Sequence, residues 1–227
     1  MAVLVLIVGA LVVYTLTDLD KPQSSTSTSI SGKPMILYIN QGNGAVNRTN
    51  FDSMLNFAKA QGFNTVFFQV CRLGILLFTP SDMQYFVSQA HDYNVTIFFA
   101  LSFNSTSQRI PVQVYSEGEG GISLDMSNLN GSAQVNLLAS LEANYGGETA
   151  VTVGPPAPHY GNLKPDLIVL ETYAAADRVY IKQGVIGSVE VVETSSEVNY
   201  ESQVQYSLQN SAGVMVFDYS GLLKKGY

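Results

Sequence analysis

The chain has no tryptophan, one cysteine and two histidines, and only 13% of its residues are charged. Each shortage excludes something. A single cysteine, Cys71, cannot form an intrachain disulfide, and at the end of an apolar run it reads as a small buried hydrophobe. His91 and His159 stand far apart, and neither has a spaced partner, so no metal site is expected and no cofactor is implied. Charge at about half the usual quarter leaves the solvated surface to Ser, Thr, Asn, Gln and the 13 tyrosines. Lys and Arg number 11 against 18 Asp and Glu, for a formal net charge of −7. Lys224-Lys225 is the one adjacent basic pair, so no basic stripe exists to neutralise phosphates, and nucleic acid is excluded as a partner. Without tryptophan, any platform for stacking on a sugar face falls to Tyr or Phe.

The first thing the chain does have is an apolar start. Residues 2–16 carry no charge. The run is slightly shorter than the roughly 20 residues of a full membrane span and close to a signal-peptide core. No basic residue precedes it, and no small-x-small cleavage site follows; the chain continues Thr17-Asp-Leu-Asp-Lys-Pro22. A retained hydrophobic helix over residues 1–20, serving as a membrane anchor, is therefore expected. Residues 21–34 contain Gln23-Ser-Ser-Thr-Ser-Thr-Ser-Ile-Ser-Gly32, which is polar, small and aperiodic, the composition of a flexible tether. Asn47-Arg-Thr, Asn94-Val-Thr, Asn104-Ser-Thr and Asn130-Gly-Ser match the N-glycosylation acceptor pattern and give slight support to a glycoprotein domain facing the cell exterior. The low charge and abundant hydroxyl residues resemble the surface proteins of acid-living archaea.

Residues 35–227 carry a beat. Short apolar β-runs recur, and several stop on a carboxylate: Gly121-Ile-Ser-Leu-Asp125, Asp166-Leu-Ile-Val-Leu-Glu171, Ser188-Val-Glu-Val-Val-Glu193 and Gly213-Val-Met-Val-Phe-Asp218. A parallel strand covered by helices is apolar along its length and tolerates charge where it ends and meets water. On the C-terminal face of a β/α barrel such ends converge on one pocket. The expected fold is α/β, a reduced (β/α)8 TIM-like barrel with eight strands and about five good helices. Helical periods run from about Phe51 (Phe51, Met54, Leu55, Ala58; capped by Thr49 or Asn50), from Pro80 (Met83, Phe86, Val87, Ala90), over about Ser132–Tyr145 and over about Asn199–Asn210. No helix is expected in residues 104–120, in the proline-broken stretch Val153–Gly161, or after the last strand.

These fragments carry a resemblance. Gly121-Ile-Ser-Leu-Asp125 resembles the fourth strand of several glycoside hydrolase barrels, which ends in a catalytic aspartate. Leu167-Ile-Val-Leu-Glu-Thr-Tyr173 resembles the sixth strand of the endo-α-1,4-polygalactosaminidase family, where a glutamate ends the strand. Phe67-Phe-Gln-Val70 with Leu76-Leu-Phe-Thr-Pro80 is similar to the second strand and loop of uncharacterised glycosidase-like barrels. The layout is also similar to the chitinase family, but that family's Asp-x-x-Asp-x-Asp-x-Glu strand is absent, because Met-Ser-Asn follows Asp125. The resemblance implies hydrolysis of a glycosidic bond by two carboxyl groups, one ionised and one kept protonated. By resemblance Asp125 is the ionised group, Glu171 the acid and Glu193 the reserve. Arg72, Gln69 and Asp218 are candidates to bind sugar hydroxyls or tune these groups, and Tyr38, Tyr173 and Tyr219 to stack on a sugar ring. Glu190 points away from its strand neighbours Val189 and Val191 and reads as a different kind of charge. Two functions stay open: a membrane-tethered extracellular glycoside hydrolase-like enzyme acting on polysaccharide or glycan, and a non-catalytic surface module. The missing helices, short loops and absent tryptophan favour the second, the strand-end carboxylates the first.

Overall fold

Alternation of side chains along each strand organises the domain. The computed structural model describes residues 32–40, 46–118, 120–191 and 200–226. Its strands in chain order are β1 (Met35–Ile39), β2 (Thr65–Arg72), β3 (Ile75–Leu76), β4 (Thr96–Ser102), β5 (Ile122–Asp125), β6 (Thr149–Val153), β7 (Leu167–Glu171), β8 (Ile186–Glu190) and β9 (Gly213–Phe217). All but β3 run parallel, each paired with the next, and β1 pairs with both β2 and β9. That double pairing closes an eight-stranded barrel, the expected fold. Period-two alternation sends Ile36, Phe67, Phe98, Val169, Ile186 and Met215 into the barrel interior as one apolar cluster. Their neighbours, among them Leu37, Phe68, Phe99, Leu124 and Val216, face outward and form a second, larger core beneath the helices. At the base of β5, a Cβ on Gly121 would lie 2.5 Å from the Phe98 ring, and the backbone there has φ +142°. Only glycine meets both demands, which gives the opening residue of this strand motif a structural reason.

The helices α1 (Arg48–Ala60), α2 (Pro80–Asp92), α4 (Gly131–Asn144) and α5 (Tyr200–Asn210) match the expected periods. The first begins earlier than expected: Asn47, rather than Thr49 or Asn50, is the cap, in a reciprocal capping box with Asn50. Thr79 caps α2, with Pro80 in its first turn. Phe86 on α2 packs against Phe51 and Phe68 with ring centroids 4.6 and 4.8 Å apart, pairs worth about 0.5–1.5 kcal/mol each beyond area burial.

Two helices stand where none was expected. α3 (Val112–Glu117) has one buried residue, Val114, and so shows no period. α6 (Tyr219–Lys225) follows the last strand; Asp218 caps it by accepting from Gly221 N at 2.9 Å, Leu222 is buried beneath it, and Gly226 ends it at φ +82°. Both are shorter than two turns, too short to show a repeat. No helix links β6 to β7, as the prolines required, and a 3-10 helix (Ala175–Tyr180) links β7 to β8. Residues 1–20, expected to form an anchor, and nearly all of the expected tether lie outside the described residues, and no helix among the described residues is long and apolar enough to cross a membrane.

Candidate active site

The same alternation that builds the apolar interior carries polar groups to its C-terminal mouth. Inward residues run Ser123 to Asp125 on β5, Val169 to Glu171 on β7, Ile186 through Ser188 to Glu190 on β8, Ile36 to Tyr38 on β1, and Met215 to Phe217 on β9. Register ties them together: Glu171 lies opposite Ser188, Glu190 opposite Phe217, and Phe217 opposite Tyr38. Asp125 and Glu171, on the fourth and sixth strands of the barrel, are therefore brought to one mouth, and the charge of each group reaches Tyr38 on the first strand.

Their electrostatics separate them. Glu171 is partly buried, and its pKa rises to about 7. Desolvation is the main cause, the Asp125 charge the next, and Glu190 adds to it, while the hydrogen bond from Tyr173 works the other way. Burial also raises Asp125, but the Ser127 hydroxyl donates to Asp125 Oδ1 at 3.0 Å and the Ser127 N–H reaches the same oxygen at 3.5 Å, bonds that favour its ionised form. Burial thus raises both carboxyls, while Asp125 accepts two hydrogen bonds from Ser127 and Glu171 one from Tyr173.

Aromatic rings line the same mouth. The Tyr173 hydroxyl donates to Glu171 Oε1 at 3.4 Å. Burial, then the Glu171 charge, pushes the Tyr173 hydroxyl well above its ordinary pKa, so it stays a donor. Tyr38 is buried, and its hydroxyl is raised first by burial and then by Asp125. Phe217 lies between the two tyrosines, with ring centroids 4.9 Å from Tyr38 and 6.2 Å from Tyr173, both tilted.

The remaining sequence candidates divide. Gln69 points inward from β2, buried, and donates from Nε2 to Ser102 Oγ at 3.1 Å. Arg72 was expected in a loop; it lies on β2, which runs on to pair with the antiparallel β3. A register shift between Gln69 and Cys71 sets Arg72 opposite the inward residue Ser102, so the bulge turns an outward position toward the mouth. Cys71 is buried, as expected, with its thiol pushed up to about 11 by burial. Asp218 is buried but engaged as the cap of α6 and as acceptor from Ser220 Oγ and Asn40 Nδ2. Tyr219 is not brought to the mouth: it begins α6, and its ring packs edge-on against Phe57 at 5.1 Å in the outer layer. Glu193 lies outside the described residues.

Sequence reasoning missed two members of the site. Glu190 is the carboxylate that β8 sends to the mouth, close enough to bias both Glu171 and Tyr173. The signal was present: opposition to Val189 and Val191, which are core residues of the outer layer, marks Glu190 as inward. Phe217 shares the phase of Met215 but stood behind the more conspicuous Asp218. Among the described residues no group of three His, Cys, Asp or Glu could hold a metal ion. A cavity of about 270 Å³ opens between the loop after β4 and α4, with Arg109, Gln108 and Asn136 on a wall shared with Ile110 and Leu129.

No family model matches the chain, and no curated protein does. Among solved structures, a chitinase from Bacteroides thetaiotaomicron superimposes with TM-score 0.59 at 14% identity, over 84% of this chain and 91% of that one. CpGH84B matches with TM-score 0.53 at 10% identity, over 81% of this chain and 44% of that one. A truncated 3-deoxy-D-arabino-heptulosonate 7-phosphate synthase from Thermotoga maritima matches with TM-score 0.52 at 12% identity, over 81% and 74%. The likeness is one of fold: the chain forms a β/α barrel of the kind found in glycoside hydrolases, and in synthases as well.

Proposed function

We propose that the domain is a glycoside hydrolase-like enzyme acting on polysaccharide or glycan, with Glu171 as general acid and Asp125 as its ionised partner. One observation carries the reading: two inward carboxyls on alternate strands of the mouth, one of them raised to about 7 by burial and by the charge of the other. Hydrolysis of a glycosidic bond asks for that division of labour. Phe217 and Tyr173 supply the apolar wall that a sugar face packs on, with the buried Tyr38 packed against Phe217 rather than open to a sugar; Glu190 and Arg72 face the same space, and the Arg109 cavity suits a further sugar unit. We also assign residues 1–20 to a membrane anchor and residues 21–34 to a tether that holds the barrel outside the cell; fractionation with protease treatment of intact cells tests this.

The catalytic test is a panel of polysaccharides and aryl glycosides with the wild type, Asp125→Asn and Glu171→Gln. Each substitution should lower turnover by about 10²–10⁴-fold while the protein stays folded. Hydrolysis that survives both changes overturns the assignment. The thin rim beside Glu171 and Glu190, where no α-helix links β6 to β7 or β7 to β8, favours the second reading, a sugar-binding module without turnover; saturable glycan binding with no hydrolysis by the wild type selects it.

A further inference from the structure

The mouth carries three carboxyl groups, but the wall of the cavity between the loop after β4 and α4 carries none, and Arg109 is the one charged residue on it. Two segments lead from mouth to cavity. Ser102, opposite Asp125, is followed three residues later by Ser105, and Asp125 four residues later by Leu129; both Ser105 and Leu129 line the cavity. Its volume of about 270 Å³ lies below the roughly 300–1,000 Å³ of pockets for drug-sized ligands. It has room for one small unit of a longer molecule.

Arg109 is held by one edge of its guanidinium. Nη1 donates to Thr106 O at 2.8 Å and to Gln108 O at 3.1 Å. The loop that supplies these carbonyls is itself fixed: Gln108 Oε1 accepts from the N–H groups of Asn104 at 2.9 Å and Ser105 at 3.2 Å, and Ile110 is buried. Both Nη1 hydrogens are thus used. The Nε and Nη2 donors have no protein acceptor, and Arg109 has no ion pair, among the described residues. The free Nε–Nη2 edge is one that a carboxylate matches with two parallel hydrogen bonds. Asn136 and Ser140 add polar groups from α4, while Ile110, Leu129 and Leu137 add aliphatic surface. A sugar ring with one charged substituent asks for that mixture.

We propose that this cavity is a subsite for an acidic sugar unit, a uronic acid whose carboxylate is gripped by Arg109. The substrate class is then an anionic glycan. This deepens the reading above, and rests on it only for what happens at the mouth. Like charge opposes the same unit beside Asp125, Glu171 and Glu190. The register that follows places a neutral sugar at the mouth and the acidic one in the cavity.

The experiment is 15N NMR of the full chain in neutral detergent micelles, following the Arg109 Nε–H and the Ser140 amide. Sodium galacturonate, sodium glucuronate, sodium acetate and neutral methyl galactoside are titrated into wild type, Arg109→Gln and Asn136→Asp. In the wild type at least one uronate should shift both signals saturably, with an affinity about five- to tenfold above those of the galactoside and of acetate. Arg109→Gln, read at Ser140, should remove that margin. Asn136→Asp leaves the Arg109 loop bonds in place and sets a like charge in the cavity, so it should remove the margin even if Arg109→Gln loosens the loop. Three results overturn the proposal: no shift with either uronate, an affinity for galactoside or acetate equal to that for uronate, or a margin that survives either variant. Uronate binding without hydrolysis of any glycan leaves the subsite standing and removes only the catalytic reading. Hydrolysis of neutral glycans without uronate binding removes only the subsite.

Discussion

The lower and upper halves of the barrel interior are built by the same strands in the same phase, yet they have opposite characters. Below, Ile36, Phe67, Phe98, Val169, Ile186 and Met215 fill the space, with Phe67 and Phe98 in ring contact at 5.1 Å. One inward step higher stand Tyr38, Gln69, Asp125, Glu171, Ser188 and then Glu190. The step from Val169 to Glu171 takes two residues. The two halves depend on each other. The apolar floor adjoins the mouth, and burial is the main reason the Glu171 pKa rises to about 7. A site acid of this kind needs a dry floor beneath it.

Breaking the floor should have the largest effect. Phe67 is fully buried in the interior. Phe67→Ala removes its ring and leaves a cavity, which should cost about 3–5 kcal/mol in denaturant unfolding. The same change should let water reach the mouth and bring the Glu171 titration down toward the ordinary carboxylate range. A loss below about 1 kcal/mol would show that the floor is already open.

Neutralising the mouth should have a smaller effect of opposite sign. The Glu171 carboxyl is raised from 4.5 to about 7 in the folded protein. The folded state therefore holds this proton more tightly than the unfolded chain does. Below about pH 4.5 the group is neutral in both states and contributes nothing. Between that pH and about 7 the buried charge increasingly opposes folding, and above about 7 the full penalty is present. Glu171→Gln should stabilise the domain by up to about 3 kcal/mol at pH 8 and by almost nothing at pH 4. Thermal melts at the two pH values read this directly; an equal shift at both would show that the gain comes from packing and not from charge.

The floor was more legible in the sequence than the mouth. Period-two apolar runs mark a strand whatever surrounds it, so eight parallel strands could be read from residues such as Met35–Ile39 and Gly213–Phe217. Asp125 and Glu171 were legible because each ends an unbroken inward phase. Arg72 was named as a candidate, but its inward direction was not legible, since it depends on a register shift that only pairing with β4 reveals. Glu190 was set aside because a charge within a strand looks misplaced until the barrel closes and gives it a mouth. Tyr219 looked equivalent to Tyr173, two residues past Glu171, but Asp218 starts a helix there and carries the next ring outward. α3 and α6 left too few residues to show a period.

Thr152 lies where floor and mouth meet, and it gives the finest test of the boundary. It points inward from β6, one step above Ala150, opposite Asp125 on one side and Val169 on the other. Its hydroxyl is buried without a hydrogen-bond partner, whereas Ser102, also opposite Asp125, has its hydroxyl bonded by Gln69. A buried polar group left unsatisfied opposes folding, and an apolar group of the same shape removes that opposition. Thr152→Val should therefore stabilise the domain by about 1 kcal/mol, measured by denaturant unfolding. That gain would place the upper limit of the dry floor at Thr152, directly beside Asp125. A loss of similar size would mean that the hydroxyl is engaged in the folded protein, so that the polar mouth reaches one layer deeper and Asp125 is held from below as well as by Ser127.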